Sequence, residues 1–105
     1  MSSSSPTGYR LTPRALDDLD DIWRYTAETW SIDQADTYID ELTGVFEMLA
    51  AMPDMGREYS EIDPPVRIHT HKSHLVVYLM AENKIVVVRI LGGRQNWQEI
   101  LNSIN

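Results

Sequence analysis

The chain has 105 residues, 43% of them hydrophobic and 24% charged, with no cysteine and a formal net charge of −7. That is enough chain for one domain, burying roughly two-thirds of its unfolded surface around a single core. It excludes a disulfide framework and a thiolate metal site, and it disfavours wrapping by DNA or RNA, whose phosphates attract basic surfaces. No apolar run approaches the ~18 residues of a membrane span, and the absence of cysteine suits a reducing compartment, so a cytoplasmic protein without direct membrane contact is expected.

The charge is unevenly spread. Residues 1–54 hold eleven acids and three bases, whereas residues 55–105 hold five acids, six bases and all three histidines. An acidic first half suits a solvated helix face or a basic protein partner.

Residues 1–8 have neither a basic nor an apolar region and are expected to form a disordered lead-in rather than a secretory signal, leaving residues 9–105 as one domain. Tyr9-Arg10-Leu11 reads as a short strand. Thr12-Pro13 then starts a helix, with threonine as N-cap and proline where no N–H is needed. Asp17 and Asp18 are read as favourable charges near its first turn. Leu16, Leu19, Ile22 with Trp23, Thr26 and Trp30 recur at helical spacing and predict a helix to about Thr29.

Ser31-Ile32-Asp33-Gln34 is a capping-box pattern. The second helix carries Ala35, Tyr38, Ile39, Leu42, Phe46, Leu49 and Met52 on one face and stops at Pro53. So short a link between the helices predicts an antiparallel hairpin. Residues 53–65, with Pro53, Gly56, Pro64 and Pro65, read as a connector.

Val66 to His71 opens the main sheet, and a turn at Lys72-Ser73 leads into His74 to Met80. A second turn at Glu82-Asn83, with Asn83 able to take a left-handed conformation, leads into Lys84 to Leu91. Four consecutive β-branched residues, Ile85 to Val88, make this last strand apolar on both faces, as expected inside a sheet. Gly92-Gly93 is read as a sharp exit presenting Arg94. Gln95 to Ile104 reads as a short amphipathic helix with Trp97, Ile100, Leu101 and Ile104.

No phosphate-binding loop, nucleophile elbow or paired-carboxylate motif is present. His69 and His71 share a strand face, with His74 across the turn; such a trio ligates zinc only if a carboxylate joins it, and residues near a hairpin end are more often simply exposed. No metal or cofactor is expected. His74 with Arg94 would suit RNA cleavage as a base and a phosphate clamp, but that chemistry needs more than one cation. Arg67, Lys72, Arg89 and Arg94 form no dense cluster in the sequence, and Arg89, read as sharing a face with Ile85, Val87 and Leu91, is expected to pair with an acid or snorkel.

The run Tyr9-Arg10-Leu11-Thr12-Pro13 followed by Leu16-Asp17-Asp18-Leu19-Asp20-Asp21-Ile22-Trp23 resembles the opening of the RelE/ParE toxin superfamily. Gln34-Ala35, Tyr38, Leu49-Ala50, Pro53 and Gly56-Arg57 resemble its second helix and exit. His74 to Tyr78 and Val88 to Arg94 resemble its closing strands, so the likeness covers about Tyr9 to Leu101. The resemblance implies a bacterial toxin of a type II toxin–antitoxin system, neutralised by a cognate, ParD-like antitoxin. RelE-like members cleave mRNA on the ribosome with several cations and often a late tyrosine. ParE-like members are associated with DNA gyrase inhibition and lack that set. After Arg94, Gln95 to Ile100 supplies neither a tyrosine nor a base, so the chain looks ParE-like; a RelE-like nuclease and a non-toxic interaction module are the alternatives.

The expected fold is therefore α+β, in the order β-α-α-β-β-β-α, with a two-helix hairpin on one face of an antiparallel sheet. Trp23, Tyr25, Trp30 and Tyr38 exceed the aromatic mass that one buried stripe needs and are expected to receive the antitoxin. His74, Arg94 and Trp97, at a strand end of mildly basic local charge, are expected to contact the target, with gyrase as that target on family grounds.

Overall fold

The computed structural model describes residues 8–102. In chain order it contains β1 (Tyr9–Leu11), α1 (Pro13–Thr29), α2 (Ile32–Ala51), a 3-10 turn (Pro53–Met55), β2 (Arg57–Tyr59), β3 (Val66–His71), β4 (His74–Ala81), β5 (Lys84–Gly92) and α3 (Trp97–Asn102). Of the expected lead-in only Gly8 is among the described residues, and its carbonyl accepts the Ile85 N–H at 2.7 Å. Ile104, assigned to the last helix, lies outside them. No helix among the described residues is long and apolar enough to cross a membrane.

Both long helices start at the expected caps. Thr12 Oγ1 accepts the Ala15 N–H at 3.1 Å, and Ser31 Oγ accepts the Gln34 N–H at 3.0 Å, each satisfying a donor that the helix cannot. The buried stripe of α1 is narrower than its hydrophobicity suggests. Ala15 and Ile22 are buried with Leu19 packed beside them, whereas Leu16 and Trp30 are 53% and 75% exposed. Periodicity alone assigned those two to the core; the smaller Ala15 takes the contact because α1 lies close on the sheet. On α2 the stripe is Ala35, Leu42, Val45, Phe46 and Leu49, with Tyr38 and Ile39 partly buried and Met52 exposed. Asp17 and Asp18 fall beyond the first turn of α1, which holds no acid; Asp18 has a different task.

The five strands form one sheet in the order β1-β5-β4-β3-β2. All pairings are antiparallel except β1 with β5, which is parallel. That exception follows from the topology, because the helical hairpin carries the chain back across the sheet before β5 is laid down. β2 was read as connector: it is three residues long and its polar Arg57-Glu58 has no strand signature, so only its pairing with β3 makes it a strand. The turn at Glu82-Asn83 uses positive φ at both residues, 54° and 69°.

The hairpin covers one face of the sheet. Leu42, Phe46, Leu49 and Ile22 meet Val76, Tyr78, Ile85, Val87 and Ile90 there. The opposite face is closed by Ile62 of the connector and by Leu101, Trp97 and Ile100 of α3 against Val66, Ile68, Val77 and Leu91. Tyr78 reaches out of the main core with its polar end satisfied: its hydroxyl donates to the Pro53 carbonyl at 2.6 Å and accepts the Gly56 N–H at 2.9 Å. A Cβ on Gly56 would sit 2.5 Å from that oxygen, which leaves glycine alone at this position.

β5 meets a difficulty where β1 ends, because its outer edge continues unpaired. A register shift at Val77/Tyr78 places one extra residue in β5, so Arg89 falls opposite Val77 and Val87 opposite Tyr78. The bulge removes Arg89 from the face shared by Ile85 and Val87 and turns it to the sheet edge. Thr12 Oγ1 donates to the Val88 carbonyl at 3.0 Å. Asp18 then accepts the Ile90 N–H at 2.9 Å and holds Arg89 through both carboxylate oxygens, Nε at 2.8 Å and Nη2 at 3.0 Å. Two side chains of α1 and its cap thus stand in for the missing strand. Replacing Asp18 by Asn leaves a buried guanidinium without its counter-charge, and the expected loss is about 3 kcal/mol in urea unfolding. Asp21→Asn, at an exposed position one turn away, should change stability by less than ~0.5 kcal/mol.

Candidate functional site

An open cleft of about 830 Å³ lies between α1 and the end of β5. α1 contributes Asp18, Asp21, Ile22 and Tyr25, the β3–β4 turn contributes Ser73 and His74, and the chain from Arg89 to Gln95 forms the other wall. The α1 residues recur at helical spacing and so share one face. The wall is built by a tight loop. The Gly93 N–H donates to the Ser73 carbonyl at 2.7 Å, while Gln95 accepts the Gly92 N–H on Oε1 at 2.7 Å and donates its own N–H to the Gly92 carbonyl at 3.0 Å. No described glycine takes a positive φ; at Gly93 a Cβ would lie a tight 3.3 Å from the Ser73 carbonyl oxygen, so a larger residue would push that loop apart by a few tenths of an ångström. Close approach, and not a left-handed turn, is the reason for the glycine that presents Arg94.

The four cations weighed from the sequence divide sharply. Arg67 donates to the Gly56 carbonyl at 2.7 Å and is bound to the exit of α2. Lys72 pairs with Glu41 at 2.9 Å, and Arg89 with Asp18 at 2.8 Å. Arg94 is exposed and has no hydrogen bond or ion pair among the described residues.

His74 is tied to the helical hairpin. Its Nδ1 lies 2.6 Å from the Tyr38 hydroxyl and 3.4 Å from Ser73 Oγ. Burial, and then the neighbouring His71, hold its pKa below the usual histidine value. A neutral ring accepting the Tyr38 hydroxyl on Nδ1 carries its proton on Nε2. Beside it His71 Nε2 lies 3.2 Å from Glu41, whose carboxyl is lowered by the Lys72 and then the His71 hydrogen bond. His69 is also lowered, by burial and then by His71. The three histidines form no metal site: among the described residues no group of three His, Asp or Glu side chains is arranged to hold an ion.

The cleft therefore brings together His74 and Arg94, and Tyr25 with them. It does not include Trp97, which lies on the opposite face of the sheet, its ring edge-on to Tyr59 at 4.8 Å. The alternation of the C-terminal residues gave no hint of that, because α3 crosses to the other face after Gln95. Of the four hairpin aromatics, Tyr25 and Trp30 are 67% and 75% exposed. Trp23 donates its indole N–H to Asp36 at 2.8 Å, joining α1 to α2, and Tyr38 is occupied by His74. Asp18, Asp21 and Gln95 were missed as cleft residues. The signal for the two acids was present in the spacing of Asp18, Ile22 and Tyr25, which puts a carboxylate beside a buried apolar stripe.

Residues 9–97 match the family model described as ParE toxin of type II toxin-antitoxin system, parDE. Toxin ParE1 of Caulobacter vibrioides is 36% identical over 88 residues, covering 84% of this chain and 91% of the relative. Toxin ParE1 of Mycobacterium tuberculosis is 38% identical over 89 residues, with coverage of 84% and 91%. Among solved structures, the chromosomal ParDE TA system from P. aeruginosa shares the fold with a TM-score of 0.71 at 18% identity, over 82% of this chain and 95% of that chain.

The histidines make stability depend on pH. Folding depresses the pKa of His74 and His69, so the unfolded chain binds more protons below the unfolded histidine value of ~6.5. The stabilisation is present in full above that pH and is lost as pH falls through the folded values. Urea midpoints should hold level from about pH 8 to 7 and decline below about 6.5. His74→Gln should flatten part of that decline, leaving the share of His69.

Proposed function

The chain belongs to the ParE toxin family of type II toxin–antitoxin systems, and from that membership we propose that it arrests growth by binding DNA gyrase and that a co-encoded, ParD-like antitoxin neutralises it. The observation that carries binding over bond cleavage is the fate of the cations. Arg67, Lys72 and Arg89 are engaged by the fold itself, which leaves Arg94 as the cation of the cleft without a partner. Phosphodiester cleavage calls for several cations around one phosphate, and the cleft offers one that is unpaired. His74 and Arg94 are the target contacts in this reading, with Trp97 supporting their loop from the far side of the sheet.

The antitoxin reading rests on the outward-facing aromatics. Tyr25 and Trp30 stand clear of the core, 67% and 75% exposed, as large amphipathic anchors that a partner helix covers. Trp23 and Tyr38 hold the hairpin in shape beneath them. The acidic outer face of the hairpin adds complementarity to a partner with basic residues. The relative from P. aeruginosa is itself part of a ParDE system, which supports a partner of the same kind here. Gyrase acts in the cytoplasm, and the proposal places the chain there.

Two measurements test this. Purified protein should inhibit gyrase supercoiling and leave mRNA intact on translating ribosomes; Arg94→Ala should weaken inhibition by about tenfold with unchanged thermal stability, because the side chain makes no contact within the fold. Cleaved mRNA beside unaffected gyrase would reassign the chain to the RelE-like branch. Trp30→Ser should lower antitoxin affinity by about thirtyfold, as loss of a buried interface anchor does, while stability moves by less than ~0.5 kcal/mol. A protein harmless on expression and ignored by its genomic neighbour would leave only a non-toxic interaction module.

A further inference from the structure

The two walls of the cleft are unequal in what they offer a ligand. On the α1 side Asp18 is fully used by Arg89 and the Ile90 N–H, and Asp21 lies 3.5 Å from Arg24. The sheet side has donors to spare. The Arg94 guanidinium is unpaired, and with the Tyr38 hydroxyl donating to Nδ1 the neutral His74 ring keeps an Nε2–H that has no partner among the described residues. Beneath them Arg89 is only 9% exposed, and its Nη1, shielded from solvent, has no hydrogen-bond acceptor. Unpaired donors, one of them buried at Arg89 Nη1, are what an acceptor ligand relieves. Between the walls Ile22, Ile90 and the ring of Tyr25 supply apolar surface.

We propose that this cleft captures a carboxylate side chain of a polypeptide partner, gripped by the Arg94 guanidinium and the His74 Nε2–H, with a neighbouring apolar side chain laid between Tyr25 and Ile90. The proposal deepens the protein-binding reading above and rests on it for the nature of the partner. A carboxylate fits better than a phosphate for reasons of charge. One unpaired arginine balances one negative charge, and the arginine fork donates two parallel hydrogen bonds to a carboxylate. A phosphate chain would instead bring several negative charges to a single unpaired cation, in a protein of net charge −7. Tyr25 and the pair His74 and Arg94 therefore belong to one binding site, so a segment seated on Tyr25 also covers the groups assigned to the target.

The test uses the full isotopically labelled chain and three probes: the blocked peptide acetyl-Leu-Glu-Leu-Leu-amide, its Gln counterpart and inorganic phosphate. The Glu peptide should shift the NMR signals of the His74 ring, the Gly92 and Gly93 amides and the Arg94 Nε–H. The Gln peptide and the Arg94→Gln protein should each bind about tenfold more weakly, the loss expected for a charge-assisted hydrogen bond. Equal binding of the two peptides, no shift with the Glu peptide, or phosphate saturating the same signals at lower concentration would each overturn the proposal. A separate titration with the co-encoded antitoxin keeps the two readings apart. Equal antitoxin affinity for wild type and Arg94→Gln sinks the carboxylate site and spares the antitoxin reading. No antitoxin binding to wild type sinks that reading, and the peptide arm then decides the cleft alone.

Discussion

Much of this molecule depends on how the outer edge of β5 is finished. β1 pairs with only Ile85 to Val87, and the strand beyond would otherwise expose a row of backbone groups next to the main core. The Asp18 carboxylate, with Thr12 at the helix cap, takes up those groups and at the same time neutralises Arg89. One residue therefore fixes the distance between α1 and the sheet, satisfies an edge that would invite strand pairing, and keeps a buried cation from acting as a free charge. The bulge at Val88 serves the same arrangement, since it turns Arg89 towards the edge where Asp18 waits.

The cleft is a consequence of that closure. Once α1 is held at Asp18, its next turns, with Ile22 and Tyr25, overhang the end of β5, while the bond from Gly93 to Ser73 draws Arg94 up to the β3–β4 turn. A second anchor, Tyr38 to His74, ties α2 to the same turn. Tyr25 and His74 thus sit on a helix and a strand and Arg94 on a tight turn after β5, and half-burial holds the His74 pKa below the usual histidine value. The charge left over in the cleft is one unpaired arginine, since Asp18 is taken up by Arg89. Such a surface is suited to selecting a polypeptide more than to holding a phosphate chain.

Much of the fold was legible along the chain. Thr12-Pro13 and Ser31 with Gln34 are local devices whose partners lie within one turn, so their meaning is carried by a few adjacent residues. The apolar run Ile85 to Val88 told of a strand covered on both faces, and it is. Where local pattern misled, the cause was packing. Leu16 and Trp30 fall at core spacing yet stand in solvent, because α1 approaches the sheet through Ala15. Asp18 looked like a helix-dipole charge, yet its partners, Arg89 and Ile90, lie more than seventy residues away. Trp97 was grouped with Arg94 by proximity in sequence, although α3 passes to the other side of the sheet.

By itself the sequence determined the elements other than β2, their order and the kind of protein, because caps, turns and periodicity act over a few residues and the family likeness spans nearly the whole chain. It also singled out Arg94 and His74, which lie at the end of a strand that could be recognised. Only the tertiary structure decided which cations remain free, which aromatics are exposed, and that Tyr25 shares a cleft with His74 and Arg94. Those facts depend on pairings between residues far apart in the chain, such as Asp18 with Arg89, Glu41 with Lys72 and Tyr38 with His74. A charge declares its presence in a sequence, but whether it is spent inside the fold is settled only when the chain has folded around it.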